Sequence, residues 1–209
     1  MRFTKTPKFV TWIYPKRIWA FSNNKSAVYL TFDDGPIPEV TPWVIETLAK
    51  YNAKATFFCI GDNINKHPEV FKELIQNGHS VGNHTQYHTK GILTPFSEYI
   101  NQVKACEELL QPHSNKLFRP PYGRMTSKQA KELRKLGYKI IMWDVLSYDW
   151  DPHISPEECL QNVLNTMELG SVIVFHDSLK AEKNLRYVLP KVLDAIQKKN
   201  WQCLSLEEV

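Results

Sequence analysis

The stretch AVYLTFDDGP, Ala27 to Pro36, decides how the chain reads. Its first six residues are almost all apolar, β-branched or aromatic, the composition of a buried strand. The strand then ends in two adjacent carboxylates, a Gly and a Pro. Like charges side by side at the mouth of a core repel, and withdrawing each ion from water costs several kcal/mol. Something of opposite charge is therefore expected beside Asp33 and Asp34.

Downstream, short apolar runs alternate with helical patterns. The runs are 27–32, 54–60, 79–83, 116–118, 138–143, 171–175 and 201–204. Between them lie segments with i, i+3, i+4 apolar spacing, such as Val44, Leu48 and Tyr51, or Val70, Leu74 and Ile75. Ser155, Pro156 and Glu158 read as a capping box with Pro at the first helical position. Gly78, Gly137 and Gly170 each follow a helical pattern and precede a strand, the place of a left-handed stop. This alternation predicts an α/β domain with a mainly parallel sheet and helices outside it. Its 209 residues suit one core, and about seven strands suit a barrel smaller or more open than the eight-stranded form. No composition shift marks a second domain; the expected division is an N-terminal arm, 1–24, and a domain from 25 to 209.

The net charge of +4 is concentrated at the start. Arg2, Lys5, Lys8, Lys16, Arg17 and Lys25 fall in the first thirty residues with no acid among them, so the body is close to neutral and no nucleic-acid partner is expected. Trp12, Ile13, Tyr14, Ile18, Trp19 and Phe21 are interleaved with those cations. The arm therefore reads as a segment packed over the lower face of the domain or as a peripheral contact with an anionic membrane. No run of about 18 apolar residues predicts a transmembrane helix, and Lys16 and Arg17 interrupt any signal-peptide centre. As given, the chain is expected to be cytoplasmic or to have lost a leader. Cys59, Cys106, Cys159 and Cys203 lie far apart and predict buried free thiols. Nothing in the sequence fixes an oligomeric state.

Polar residues gather where the strands end. Asp33 and Asp34 follow the first run, His84 and His88 the third and Arg119 the fourth. Trp143 and Asp144 follow the fifth, with Asp149 beyond, and His176 and Asp177 follow the sixth. In a parallel barrel these ends open on one face, where active sites are built. His84 and His88, four residues apart, can reach one ion from a helical turn, and a carboxylate from Asp33-Asp34 would complete a two-His, one-Asp site open to water and substrate. A dication held by one carboxylate would offset the repulsion, leaving the other as a general base with Arg119 as its cationic partner. In FRPPYG the prolines stiffen the chain and Gly123 permits a sharp turn that would hold the guanidinium. Asp149 or Asp177 could pair with His176 and raise its pKa, making it a suitable acid for an amine leaving group. His67, His79, His113 and His153 read as surface or structural residues.

These motifs, TFDDG (31–35), HTQYH (84–88) and RPPYG (119–123), with Asp149-Trp150 and the segment ending at His176-Asp177, resemble the polysaccharide deacetylase family, carbohydrate esterase family 4, with its NodB homology domain. The resemblance implies a distorted (β/α)7 barrel, TIM-barrel-like, and metal-assisted removal of acetyl groups from N- or O-acetylated saccharides. By the same resemblance Asp34, His84 and His88 would ligate one divalent ion, usually zinc. Asp33, held by Arg119, would be the base toward the attacking water. The Tyr122 amide would face the oxyanion, a contact worth ~3 kcal/mol. His176, tuned by Asp149, would protonate the departing amine, and Trp150 and Val174 would line the acetyl pocket.

Two positions depart from the family pattern. Leu146 stands where an Asp is common, and Val174 where Leu is usual; both bear on acyl specificity rather than on the proposed ligands, acid or base. Two other readings accompany the leading one. One is a deacylase of a glycolipid headgroup or a small cyclic amide on the same scaffold, and the other is a relative that binds saccharides without turnover.

Overall fold

The computed structural model describes residues 3–22 and 26–206. Its strands are β1 (Ala27–Asp33), β2 (Thr56–Cys59), β3 (Ser80–Asn83), β4 (Leu117–Phe118), β5 (Lys139–Ile140), β6 (Val145–Leu146), β7 (Val172–His176) and β8 (Gln202–Cys203). The main path runs β5-β4-β3-β2-β1-β7-β6, with β8 added to the start of β1, and every one of these pairings is parallel. Seven strands curl into the distorted (β/α)7 barrel that the sequence led us to expect, in a single domain. One strand boundary differs: the run 138–143 is not one strand. It leaves the sheet after Ile140, and the chain re-enters as β6 at Val145.

β1 is buried along its whole length, as expected where both faces of a parallel sheet are covered. Its alternation sorts the residues by face. Val28, Leu30 and Phe32 pack outward with Phe57, Phe175 and residues of the helices Thr41–Lys50, Pro68–Gln76, Pro156–Leu164 and Glu182–Lys198. Phe32 stacks on Phe57 at 4.9 Å and on Phe175 at 5.9 Å between ring centroids. Ala27 and Tyr29 point to the opposite face, into a separate cluster with Phe58, Leu117 and Ile141. The period of two therefore places Thr31 and Asp33 on the inner face, above Tyr29. Phe residues this buried contribute ~1.5–3 kcal/mol each, which anchors the strand that carries the polar chemistry.

The strand order also explains how distant motifs meet. β1 lies between β2 and β7, with Asp33 opposite Phe58 on one side and His176 on the other. β3 follows β2, and Asn83 lies opposite Phe118 just before Arg119.

The seam between β5 and β6 is occupied by the N-terminal arm. The Leu146 amide donates to the Thr4 carbonyl at 2.8 Å, the Thr6 amide to Asp144 at 2.7 Å and the Met142 amide to Ile18 at 2.7 Å. Lys5 bridges Val145 antiparallel and Ile18 bridges Ile141 in parallel. Below them the Phe21 amide bonds the Gly170 carbonyl at 2.9 Å. Gly170, at φ 85°, must lack a side chain here, because a Cβ would run into the Phe21 carbonyl. The arm thus lies along the side of the barrel as well as against its lower end, rather than only over the lower face. Arg2 and Lys25 lie outside the described residues.

Other expectations hold with smaller changes. The four cysteines are free and buried. Ser155 caps its helix by accepting the Glu158 amide at 3.1 Å, but a reciprocal box is found instead at Thr126 and Gln129. His79 is buried against Phe57, whereas His113 and His153 are exposed.

Candidate active site

A pocket of about 800 Å³ opens at the C-terminal ends of the strands, within the usual range of small-ligand clefts. Its wall contains Asp33, Asp34, His84, His88, Tyr122, Trp150, Val174 and His176. Arg119 and Asp149 stand behind this wall and hold it in place.

Arg119 organises one side. It is fully buried, and its Nη1 donates to Asp33 Oδ1 at 2.7 Å and to Thr31 Oγ1 at 2.8 Å. Its Nη2 donates to the Met142 carbonyl at 2.9 Å, and the guanidinium lies 4.2 Å from the centre of the Phe58 ring. Burial draws its pKa down and the neighbouring Asp33 carboxylate opposes that, so the guanidinium stays charged. Losing water around two ions is offset here by these hydrogen bonds. The backbone of the same residue acts on a second group: the Arg119 carbonyl accepts His84 Nδ1–H at 2.8 Å. That bond fixes the tautomer and leaves Nε2 with its lone pair toward the pocket.

Asp34, His84 and His88 converge, with their ligand atoms all within 4.8 Å of one another. Asp34 Oδ1 lies 3.2 Å from His88 Nε2 and 3.6 Å from His84 Nε2. These distances would describe ion pairs only if the rings were charged. Burial lowers His84 to about 3 and lowers His88 from its usual value, so both rings are neutral near pH 7. Asp34 Oδ1 is accordingly a buried oxygen with no hydrogen-bond donor. A carboxylate oxygen without a donor, facing the Nε2 atoms of two neutral imidazoles, suits the donor set of a divalent cation. Asp34, at φ 81°, and His88, at φ 53°, hold left-handed backbone conformations that non-glycine residues rarely adopt. Asn63 donates to the Asp34 carbonyl at 2.7 Å and secures that turn.

Across the pocket, His176 Nδ1 bonds Asp149 Oδ1 at 2.9 Å. Ser147 Oγ donates to Asp149 at 3.0 Å, and Asn184 donates to the Asp149 carbonyl at 3.0 Å. Burial works to lower the His176 pKa, but Asp149, aided by Asp34 and Asp33, outweighs it and raises the ring to about 9. The Trp150 ring meets the imidazole edge-on at 4.6 Å. Leu146 and Val174, paired across β6 and β7, complete an apolar wall beside it.

The HTQYH and FDDG motifs therefore come together with RPPYG and the strand end at His176. Two rim residues singled out in the sequence do not join them. Asp144 turns away to bond Lys5 at 2.7 Å, Ser171 Oγ at 3.0 Å and the Val172 amide at 2.8 Å. Asp177 does not pair with His176; it accepts Thr41 Oγ1 at 2.6 Å and the Gly35 amide at 3.1 Å.

Comparison with known proteins agrees with this arrangement. A family model described as polysaccharide deacetylase matches residues 21–141, more than half the chain. The chain belongs to the polysaccharide deacetylase family. Among its relatives is a peptidoglycan-N-acetylglucosamine deacetylase of Bacillus cereus, 38% identical over 80% of this chain; the match spans 62% of that relative's length. A chitooligosaccharide deacetylase of Azorhizobium caulinodans is 34% identical over 75% of this chain and 76% of its own. Among solved structures, a peptidoglycan N-acetylglucosamine deacetylase in complex with 4-naphthalen-1-yl-N-oxidanyl-benzamide superposes with a TM-score of 0.88 at 32% identity, covering 95% of each chain. A carbohydrate esterase family 4 pseudoenzyme from Bacillus anthracis shares the fold at 23% identity and a TM-score of 0.81.

Sequence reasoning missed Asn63, Lys90, Arg124 and Lys180, all of which line the pocket. They sit outside the recognisable motifs, and only the packing of loops brings them to the rim.

Proposed function

We propose that the protein is a metal-dependent hydrolase that removes the N-acetyl group from an amino-sugar residue of a glycan. The names of its relatives direct the first choice of substrate to the N-acetylglucosamine of peptidoglycan. The observation that carries this reading is the donor-free Asp34 oxygen between two neutral imidazoles, with Asp33–Arg119 and Asp149–His176 in the same pocket.

Asp34, His84 and His88 would hold the ion, and two imidazoles with one carboxylate suit zinc. When bound, a dication there supplies Lewis-acid polarisation to the acetyl carbonyl and to water. Asp33, held in place by Arg119, accepts the proton of the attacking water at a carboxylate oxygen. The Tyr122 amide, in a turn that holds this residue at φ 58°, is the proposed donor to the oxyanion that develops as the carbonyl becomes tetrahedral. His176 delivers a proton to the amine nitrogen as the C–N bond breaks, and Asp149 holds the ring through Nδ1 so that Nε2 faces the substrate. Trp150, Val174 and Leu146 exclude water around the acetyl methyl.

Acetate release from N-acetylglucosamine oligomers and peptidoglycan fragments tests the reading, using protein stripped of metal and then titrated with zinc. Zinc-dependent release is expected. Saccharide binding without release at any metal loading would overturn it in favour of a non-catalytic relative.

A further inference from the structure

The arm contains a short helix, Lys8–Ile13, that has no buried residue. A six-residue helix is not stable by itself in water, so it is held by its flanks. Those flanks are the hydrogen bonds of Thr4 and Thr6 before it and of Ile18 and Phe21 after it. The helix is thus carried on the side of the barrel as a fixed projection. Phe9, Trp12 and Ile13 have the i, i+3, i+4 spacing of one helical face and are 55%, 76% and 62% exposed. Tyr14 extends this apolar surface, and Arg17 folds back over the Tyr14 ring at 4.2 Å. Lys8 and Lys16 flank it and are exposed, and no acidic residue precedes Asp33 in the chain. Elsewhere large exposed apolar residues are scattered or belong to the pocket rim, as Tyr122 and Leu179 do.

We infer that this face is a docking surface for an anionic phospholipid bilayer. Aromatic and aliphatic side chains on one side of a short helix, bordered by lysines with no neighbouring acid in the segment, match the boundary between acyl chains and negatively charged headgroups. The charge pattern favours this occupant over a second copy, since two identical basic faces would repel each other across a two-fold interface. The inference stands apart from the catalytic reading, because no residue of the face lines the pocket.

The test is co-sedimentation of the whole chain with vesicles of phosphatidylglycerol and phosphatidylcholine, against phosphatidylcholine alone. Binding to the anionic vesicles that weakens with added salt is expected, together with a blue shift in tryptophan emission. The triple variant F9S/W12S/I13S should lower the partition coefficient by about tenfold or more while its melting temperature and acetate release stay unchanged. The double variant K8E/K16E should abolish the preference for anionic vesicles. Absence of binding, or equal partitioning of wild type and triple variant, would overturn the inference. Self-association in sedimentation velocity that is lost in the triple variant would instead assign the face to a second copy, and would also overturn it.

Discussion

Asp149 holds His176 at two points: Oδ1 faces the ring Nδ1 at 2.9 Å, and Oδ2 accepts the backbone amide of the same residue at 2.7 Å. The carboxylate therefore fixes both the orientation of the imidazole and the loop that carries it. Replacing Asp149 by Asn removes the charge that offsets burial, so the His176 pKa should fall from about 9. The protonated acid is the form that serves the leaving amine, so its fraction at neutral pH drops. A loss of about 10²–10⁴-fold in kcat is expected, with the alkaline limb of the pH profile displaced to lower pH. An unchanged alkaline limb in D149N would show that His176 is not the titrating acid.

Asp33 and Arg119 form a buried pair, and truncating one partner leaves the other charge without its counterion, typically at a cost of ~3–5 kcal/mol. Asp33→Asn should cost less than that range, because Thr31 Oγ1 and the carbonyls of Ile141 and Met142 still accept from the guanidinium. Zinc binding should survive, since Asp34, His84 and His88 are untouched, while acetate release disappears. Calorimetric zinc titration beside a thermal melt separates the outcomes. Loss of zinc binding in D33N would place Asp33 among the ligands instead of at the water.

How much of this is legible in the sequence follows the physics of each feature. The strand β1 and its terminal carboxylates could be read because a continuous apolar run, a turn and a local charge conflict are all sequence-local. The pair His84 and His88 was visible from its spacing, but the expected helical turn is absent: the segment is irregular, with Thr85 at φ 66° and His88 at φ 53°. The choice between Asp149 and Asp177 as the partner of His176 depends on which loop packs over β7, so the residues alone left it open and only the family resemblance pointed to Asp149. The tie of β5 and β6 to the N-terminal arm escaped the sequence too: both strands are two residues long and carry no periodic signal, and the hydrogen bonds that join them to the arm span well over a hundred positions. Asp144 was misplaced on the rim because a carboxylate at a strand end reads the same whether it faces substrate or a lysine on a neighbouring segment.

That misplacement leads to a prediction about the seam. Asp144 is buried and joins Lys5 of the arm to Ser171 and the Val172 amide. Asp144→Ala would leave these donors without their acceptor, at ~1–3 kcal/mol for each one that water cannot reach. A lower melting temperature is expected, with kcat at room temperature and zinc affinity unaltered. A reduced kcat in a variant that melts normally would return Asp144 to the catalytic rim.

Proton competition at the metal ligands gives another measurable consequence. Burial holds His84 at about 3 and lowers His88, so neither ring must lose a proton before ligating an ion near neutrality. Zinc affinity should therefore vary little between about pH 6 and about pH 7.5, where imidazoles of ordinary pKa would show a steep rise. Isothermal titration in buffers of different ionisation enthalpy counts the protons released. Release of about one proton per histidine would show that the rings are charged in the metal-free protein.

Asp177 supplies the clearest pH signature in the fold. Burial, reinforced by the charge of Asp34, raises its carboxyl from 3.8 to about 8, although Thr41 and the Gly35 amide act to lower it. A side chain on Gly35 would collide with this carboxyl, so the contact between the FDDG turn and the end of β7 has no room to relax. In the unfolded chain the group titrates near its ordinary value, and in the folded chain it keeps its proton to much higher pH. Its contribution to stability is therefore complete below the unfolded pKa and is lost as pH rises toward and through about 8. Asn cannot ionise; its Oδ1 can still accept the Gly35 amide, while its Nδ2 donates to Thr41 Oγ1 with that bond reversed. The melting temperature of D177N, measured without metal, should thus rise relative to wild type as pH increases from about 4 to about 9. A difference between the two proteins that stays flat across that range would mean that Asp177 remains ionised in the fold, held by its hydrogen bonds against the effect of burial.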